Sequence, residues 1–191
     1  MADIILSVLH CIGNAVPFLL LYPPIYNKDM LGMRKLVAEV ALFDHMVSLV
    51  IKDSKIVGDI PPAIFDLQGL KQIDLDKNNM TGVVKAVDNK SLQRLDLNFN
   101  RLSGGIEFLH GFPNLQEAHL DNNMFEGTIP SDLGQLKSLS ILTLHGNSLT
   151  GTMPQSVCNL RTNHTLKYLM ADCEGPNPKV VCDCCTHCSP Y

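Results

Sequence analysis

The sequence predicts an α/β solenoid. The expected form is a short, right-handed, curved superhelix with five or six parallel strands on its concave side. An irregular or 3-10 convex side and a disulfide-rich C-terminal cap complete it. Three observations carry this expectation. One apolar phrase recurs five times, starting at Met46, Leu70, Leu92, Leu115 and Leu139, with a partial sixth copy at Leu166. The starts of the five copies lie 24, 22, 23 and 24 residues apart, and a fixed period of that size marks stacked supersecondary units. Six of the seven cysteines fall between Cys158 and Cys188, beyond the full repeats.

Aligned on its leucines, the phrase reads L-x-x-L-x-L-x-x-N-x-L-x-G-x-I-P-x-x-L-x-x-L, and each fixed letter has a physical role. The L-x-L core (Leu95 and Leu97, Leu142 and Leu144) is a short strand whose alternate side chains point inward. One unit cannot cover that face, so copies stack and bury it between them. Asn78, Asn100, Asn123 and Asn147 follow the strand at an inward turn. Their amides carry donors and acceptors that can satisfy stranded backbone groups of neighbouring units. Gly58, Gly82, Gly104, Gly127 and Gly151 let the chain bend. The Ile-Pro pair then ends the local ladder, because Pro brings no N–H.

This phrase is that of a leucine-rich repeat. Its Gly-x-Ile-Pro extension resembles the plant-specific type found in receptor ectodomains and secreted wall-associated proteins. The resemblance covers residues 46–172 and departs from the pattern at Ser54, which replaces Asn. Pro is missing after Val84 and Ile106, so the second and third convex segments are expected to be less regular. Relatives of this type usually carry a cysteine pair and a Trp in an N-terminal cap. Here there is no Trp, and Cys11 is the only cysteine before Cys158, so that cap is expected to be missing or truncated.

Composition narrows the function classes. A chain of 191 residues with 46% hydrophobic content suits one domain with a continuous core. The net charge of −4 is spread without a like-charge block, which argues against a nucleic-acid partner. The organisation reads as an N-terminal segment (1–45), the repeats (46–172) and a cysteine-rich cap (173–191). Ile4 to Tyr22 is an apolar run broken by His10, Asn14 and Pro17. It lacks the cationic start of a secretory signal, and its length is borderline for a membrane span. Two readings stay open: a gene-start artefact or apolar flap against the first repeat, and an uncleaved anchor or atypical signal that would associate the chain with a membrane. Residues 31–43 show a helical apolar spacing suited to covering the open end of the stack.

Between and after the inward leucines, side chains face the concave surface. That reading yields Val50, Asp74, Asp96, His119, Thr143 and Met170 in one column, and Lys52, Asp76, Asn98, Asp121, His145 and Asp172 in the next. Asp74, Asp76, Asp96, His119, Asp121, Thr143 and His145 are the expected partner-binding residues, with Asp96 and Asp121 expected to point to water and to tolerate Lys. Their acidic and imidazole character favours a partner bearing Lys or Arg. Such a surface suits an extended peptide or a protein more than a small molecule. Sequons place candidate glycans at Asn79, Asn89 and Asn163.

Cys158, Cys173, Cys182, Cys184, Cys185 and Cys188 read as three disulfides holding a tail too short for its own core. The pairing is open, except that adjacent Cys184 and Cys185 should take different partners. Zinc is the competing reading, but C-x-C-C-x-x-C lacks the paired knuckles of structural zinc sites. The tail resembles those of extracellular leucine-rich repeat proteins in some algae, which implies export. No nucleophile elbow, phosphate loop or metalloprotease helix is present, and no cofactor or metal is expected. The favoured reading is a non-catalytic extracellular or cell-surface recognition module, receptor-like in type. A structural surface or wall component is the alternative, and a cytosolic scaffold is disfavoured by the cysteines.

Overall fold

The computed structural model describes residues 18–20 (backbone only), 46–85, 88–162 and 165–190. The apolar run apart from 18–20, the segment 31–43, Cys11 and Asn163 lie outside the described residues. Each full repeat contributes one strand to each of two parallel sheets. The concave sheet has eight strands: β1 (Phe18–Leu20), β2 (Ser48–Val50), β4 (Gln72–Asp74), β6 (Arg94–Asp96), β8 (Glu117–His119), β10 (Ile141–Thr143), β12 (Tyr168–Ala171) and β14 (His187–Cys188), side by side in that order. Six come from the repeats, as expected. The other two, β1 and β14, come from the flanking segments.

The second sheet was not expected. It runs β3 (Val57–Gly58), β5 (Asn79–Val83), β7 (Arg101–Gly104), β9 (Met124–Thr128), β11 (Ser148–Thr152) and β13 (Val180–Val181). The x-L-x-G-x stretch after each ladder Asn turns one side chain inward, Met80, Leu102, Phe125 or Leu149, between more exposed neighbours. The stack is therefore closed on two sides by hydrogen-bonded ladders rather than one.

Register aligns the inward residues. Leu49 pairs with Ile73, Ile73 with Leu95, Leu95 with Ala118, Ala118 with Leu142, and Leu142 with Leu169. All six are fully buried. The Asn ladder forms as read. The Asn100 amide donates to the carbonyls of Leu75 (2.9 Å), Leu97 (3.1 Å) and Asn98 (3.3 Å), while its oxygen accepts the Met80 N–H at 3.0 Å. Asn78, Asn123 and Asn147 repeat the arrangement. In the first unit, Ser54 Oγ donates to Lys52 O (2.7 Å) and the Ser54 N–H reaches Asn78 Oδ1 (3.1 Å). The missing Asn is thus covered by its neighbour.

On the convex side, 3-10 turns form at Pro62–Ile64, Glu107–Gly111 and Ser131–Gln135, and α1 spans Gln155–Thr162. The expected irregularity therefore holds for the second unit and not for the third. The second unit is the shortest, at 22 residues, and has no helix among its described convex residues. There the Asn89 side chain replaces the missing turn. It donates to Phe65 O and Leu67 O and accepts from the N–H groups of Ser91 and Leu92. The third unit makes its turn without Pro, seated by Phe108 and Phe112 against Phe125 and Phe65.

The cap is pinned by three disulfides: Cys158–Cys184, Cys173–Cys188 and Cys182–Cys185. Adjacent Cys184 and Cys185 do take different partners. The sulfurs of Cys173, Cys182 and Cys185 lie within 4.8 Å of one another, but each is already bonded to another sulfur and offers no thiolate to zinc. Cys173–Cys188 holds β14 beside β12, and Cys158–Cys184 ties the tail to α1. Asp172 closes the last full turn by accepting the N–H groups of Gly146 (2.8 Å) and Asn147 (3.2 Å).

Candidate functional site

The concave sheet presents three columns of side chains between its buried leucines, because alternation turns every second residue of each strand outward. The sequence reading found two of them. The third precedes the first inward residue of each strand: Ser48, Gln72, Arg94, Glu117, Ile141 and Tyr168. The same alternation rule reaches it, extended one step towards the strand's start. That column carries a cross-strand ion pair, Arg94 Nη1 to Glu117 Oε2 at 2.8 Å. A groove of about 210 Å³ runs beside it, lined by Gln72, Gln93, Arg94, Gln116 and Glu117 among others.

The seven expected partner-binding residues all lie on this face, but the carboxylates are not solvated as expected. Asp74, Asp76, Asp96 and Asp121 are only 2–8% exposed. Strands about 4.8 Å apart crowd their outward side chains against one another, and a cross-strand network then covers the acids. Lys52 Nζ sits 2.8 Å from Asp74 Oδ2. Arg94 Nη2 is 3.4 Å from Asp96 Oδ2. With its amide turned to donate, Asn98 bridges Asp76 Oδ1 (3.0 Å) and Asp96 Oδ1. Asp121 accepts from Thr143 Oγ1 at 2.5 Å and from the Asn122 amide at 2.9 Å. Lys at position 96 or 121 would break these bonds and bury a cation, so the expected tolerance of Lys does not hold.

The electrostatics follow from this crowding. Burial raises the Asp96 carboxyl above its ordinary value, the Asp74 charge raises it further, and His119 opposes the shift. Burial also raises Asp76, against Lys77 and Lys52. The hydrogen bond to Asp74 raises Lys52. Six carboxylates (Asp74, Asp76, Asp96, Glu117, Asp121, Asp172) share the face with Lys52 and Arg94, and Lys77 reaches Asp76 from the adjoining turn at 3.8 Å, so it is net acidic. His119 Nε2 lies 3.7 Å from Glu117 and His145 Nε2 lies 3.8 Å from Asp121.

Beyond the face, the sequons are not equivalent. Asn79 is exposed on β5. Asn89 is fully buried, and a glycan there would have to break its four side-chain hydrogen bonds. The residue before each ladder Asn is left-handed in every full unit: Asp53, Lys77, Phe99, Asn122 and Gly146. Sequence reasoning missed this, since Gly146, Asn122 and Asp53 are residues that visit such a backbone but Lys77 and Phe99 are not.

Two descriptions of the leucine-rich repeat match this chain, one over residues 44–102 and one over residues 114–136 and 138–160. The chain belongs to the leucine-rich repeat family. This leucine-rich repeat protein is 30% identical over 113 residues to receptor-like protein 54 of Arabidopsis thaliana, across 58% of its own length and 14% of that relative's. It is similar to the ectodomain of the plant membrane receptor kinase GASSHO1/SCHENGEN3 from Arabidopsis thaliana, solved in complex with CASPARIAN STRIP INTEGRITY FACTOR 2. The two share 31% identity and a TM-score of 0.58, over 68% of this chain and 15% of that one. It is also similar to the plant peptide hormone receptor RGFR1, solved in complex with RGF2, at 27% identity and a TM-score of 0.62, over 75% and 22% of the two chains. This leucine-rich repeat chain therefore spans less than a quarter of each of these proteins.

Proposed function

We propose that the protein is a non-catalytic recognition module of the extracellular space or cell surface, receptor-like in type, that takes a basic peptide or basic protein segment on its concave face. The single observation that carries this reading is the net acidic network of Asp74, Asp76, Asp96 and Asp121, with His119, Thr143 and His145 beside it. Leucines, ladder Asn and Gly are set by the fold, whereas these positions are free to vary. Burying four carboxylates costs desolvation energy that a purely structural face would avoid with neutral side chains. Held by neighbours on a rigid sheet, they lose little entropy on meeting a partner. The similarity to two plant receptors solved in complexes supports recognition, and the three disulfides support an oxidising compartment.

The test is fluorescence anisotropy of a short Lys/Arg-rich peptide against the disulfide-intact protein, over a salt series. Affinity is expected to fall as salt rises. The double variant Asp96→Asn with Asp121→Asn keeps acceptors for Asn98 and Thr143 and is expected to weaken binding roughly tenfold. An unchanged affinity in that variant removes the middle of the concave face as the site. Absence of any salt-dependent binding favours the alternative, a structural surface component without a specific ligand.

A further inference from the structure

The concave face changes character along the solenoid axis. From β4 to β8 its outward residues are polar or charged: Gln72, Asp74, Arg94, Asp96, Glu117 and His119. From β10 to β12 they become Ile141, Thr143, Tyr168 and Met170. In register, Ile141 lies beside Tyr168 and Thr143 beside Met170, so three apolar side chains form one contiguous patch. All three are half-buried. The Thr143 hydroxyl is committed to Asp121, which leaves its methyl to the patch.

The C-terminal cap completes this patch. Cys173–Cys188 holds β14 at the sheet edge, with His187 in register beside Met170. There the His187 ring packs on Tyr168, centroids 4.8 Å apart at an interplanar angle of 31°. The Tyr168 hydroxyl donates to Met170 Sδ at 3.4 Å, so its polar end is turned along the patch. The fold does not ask for apolar residues here. The same two columns are filled by polar groups in β4, β6 and β8, and on a sheet open to water polar residues serve as well.

We infer that this patch is a second subsite of the concave face, taking an apolar or aromatic side chain from the same extended peptide whose basic residues meet the acidic strands. The inference rests on the recognition reading above and adds the order and spacing of the ligand's side chains. Charge complementarity places Lys or Arg over Asp74, Asp96 and Asp121. The midpoint between β10 and β12 lies two and a half strand spacings from β6, roughly 12 Å at about 4.8 Å per strand. An extended chain rises about 3.3 Å per residue, so the basic and apolar residues of the ligand are about four positions apart.

The experiment uses four synthetic peptides on the full disulfide-intact protein. One carries an Arg-Lys pair alone in a Ser/Gly chain. One adds a Phe about four residues from the pair, one places it directly adjacent, and the fourth is the spaced peptide reversed. The spaced peptide, in one of its two directions, is expected to bind roughly tenfold more tightly than the Phe-free peptide, and the adjacent one no better than Phe-free. In Met170→Glu that gain is lost, while the Phe-free peptide binds as to the parent protein or more tightly through the added negative charge. Met170→Leu, which keeps an apolar surface, retains the gain and separates the subsite from any loss of folding. Equal binding of all four peptides, with salt dependence intact, overturns the second subsite and leaves the acidic reading standing. No binding by any of them overturns both.

Discussion

Asn100 offers the sharpest test of what holds this stack together. Its amide meets three carbonyls and its oxygen meets one N–H, so Asn100→Leu removes four hydrogen bonds at once. They are not equally costly to lose. The Leu75 carbonyl is also reached by the Asn78 amide, and the Leu97 carbonyl by the Asn123 amide, so both keep a partner. The Met80 N–H loses its only side-chain acceptor at a fully buried position. One buried donor left unpaired costs about 1–3 kcal/mol, and the shared carbonyls add little. The whole substitution should therefore cost on the order of 1–3 kcal/mol, not four times a single bond. In a chain of this size that lowers the thermal midpoint by about 2–4 °C per kcal/mol. Urea unfolding of the disulfide-intact protein, with Asn79→Leu as the exposed control, reads it directly. A loss below about 0.5 kcal/mol would mean that Met80 finds another acceptor and that the ladder is not what fixes the turn.

The remaining predictions follow from single contacts. Non-reducing peptide mapping should return Cys158–Cys184, Cys173–Cys188 and Cys182–Cys185; any peptide joining Cys184 to Cys185 would refute the cap. Gly104→Ala should destabilise more than Gly127→Ala. Both sit at positive φ (+82° and +87°), yet an added Cβ at Gly104 meets the Val83 side chain at 3.0 Å and at Gly127 meets nothing; equal losses, each of about 1 kcal/mol, would show that Val83 yields freely. Asp76 and Asp96 hold protons more tightly folded than unfolded, so their stabilising share is full below the unfolded carboxylate range and is lost as pH rises through their raised values. The parent protein should therefore gain stability between neutral and mildly acidic pH relative to Asp76→Asn with Asp96→Asn, and parallel pH profiles for the two would refute it. In the same window basic-peptide affinity should fall with pH, as the face loses charge.

How far the sequence reaches depends on whether a position answers to the repeat or to its neighbours. Leu95, Leu142, Asn100 and Asn147 are legible because each unit imposes the same demand on them, and five copies state it alike. The second sheet escaped because the x-L-x-G-x stretch is short, with a single inward side chain, Met80, Leu102, Phe125 or Leu149, in each copy. Asn89 escaped because it answers to one short crossing: the 22-residue unit lacks room for a turn, and a buried side chain supplies the missing bonds. The concave residues were placed correctly by alternation, but their burial was not. One strand's pattern cannot show that Thr143 of the next repeat closes over Asp121, or that Asn98 reaches back to Asp76, since those contacts cross from one repeat to another. The same blindness applied to His187, which reaches the face because the tail folds back onto β12, joined to it by hydrogen bonds and by Cys173–Cys188. The cross-repeat network also changes what the acids are for. A carboxylate waving in solvent contributes a screened charge, whereas one held by Thr143 or Arg94 has a fixed position and a reduced dielectric around it. A partner cation that displaces Lys52 or Arg94, or adds to Asp121, meets an electrostatic pattern already set in place. On the proposed recognition reading, that arrangement assigns the four buried aspartates to specificity rather than to solubility.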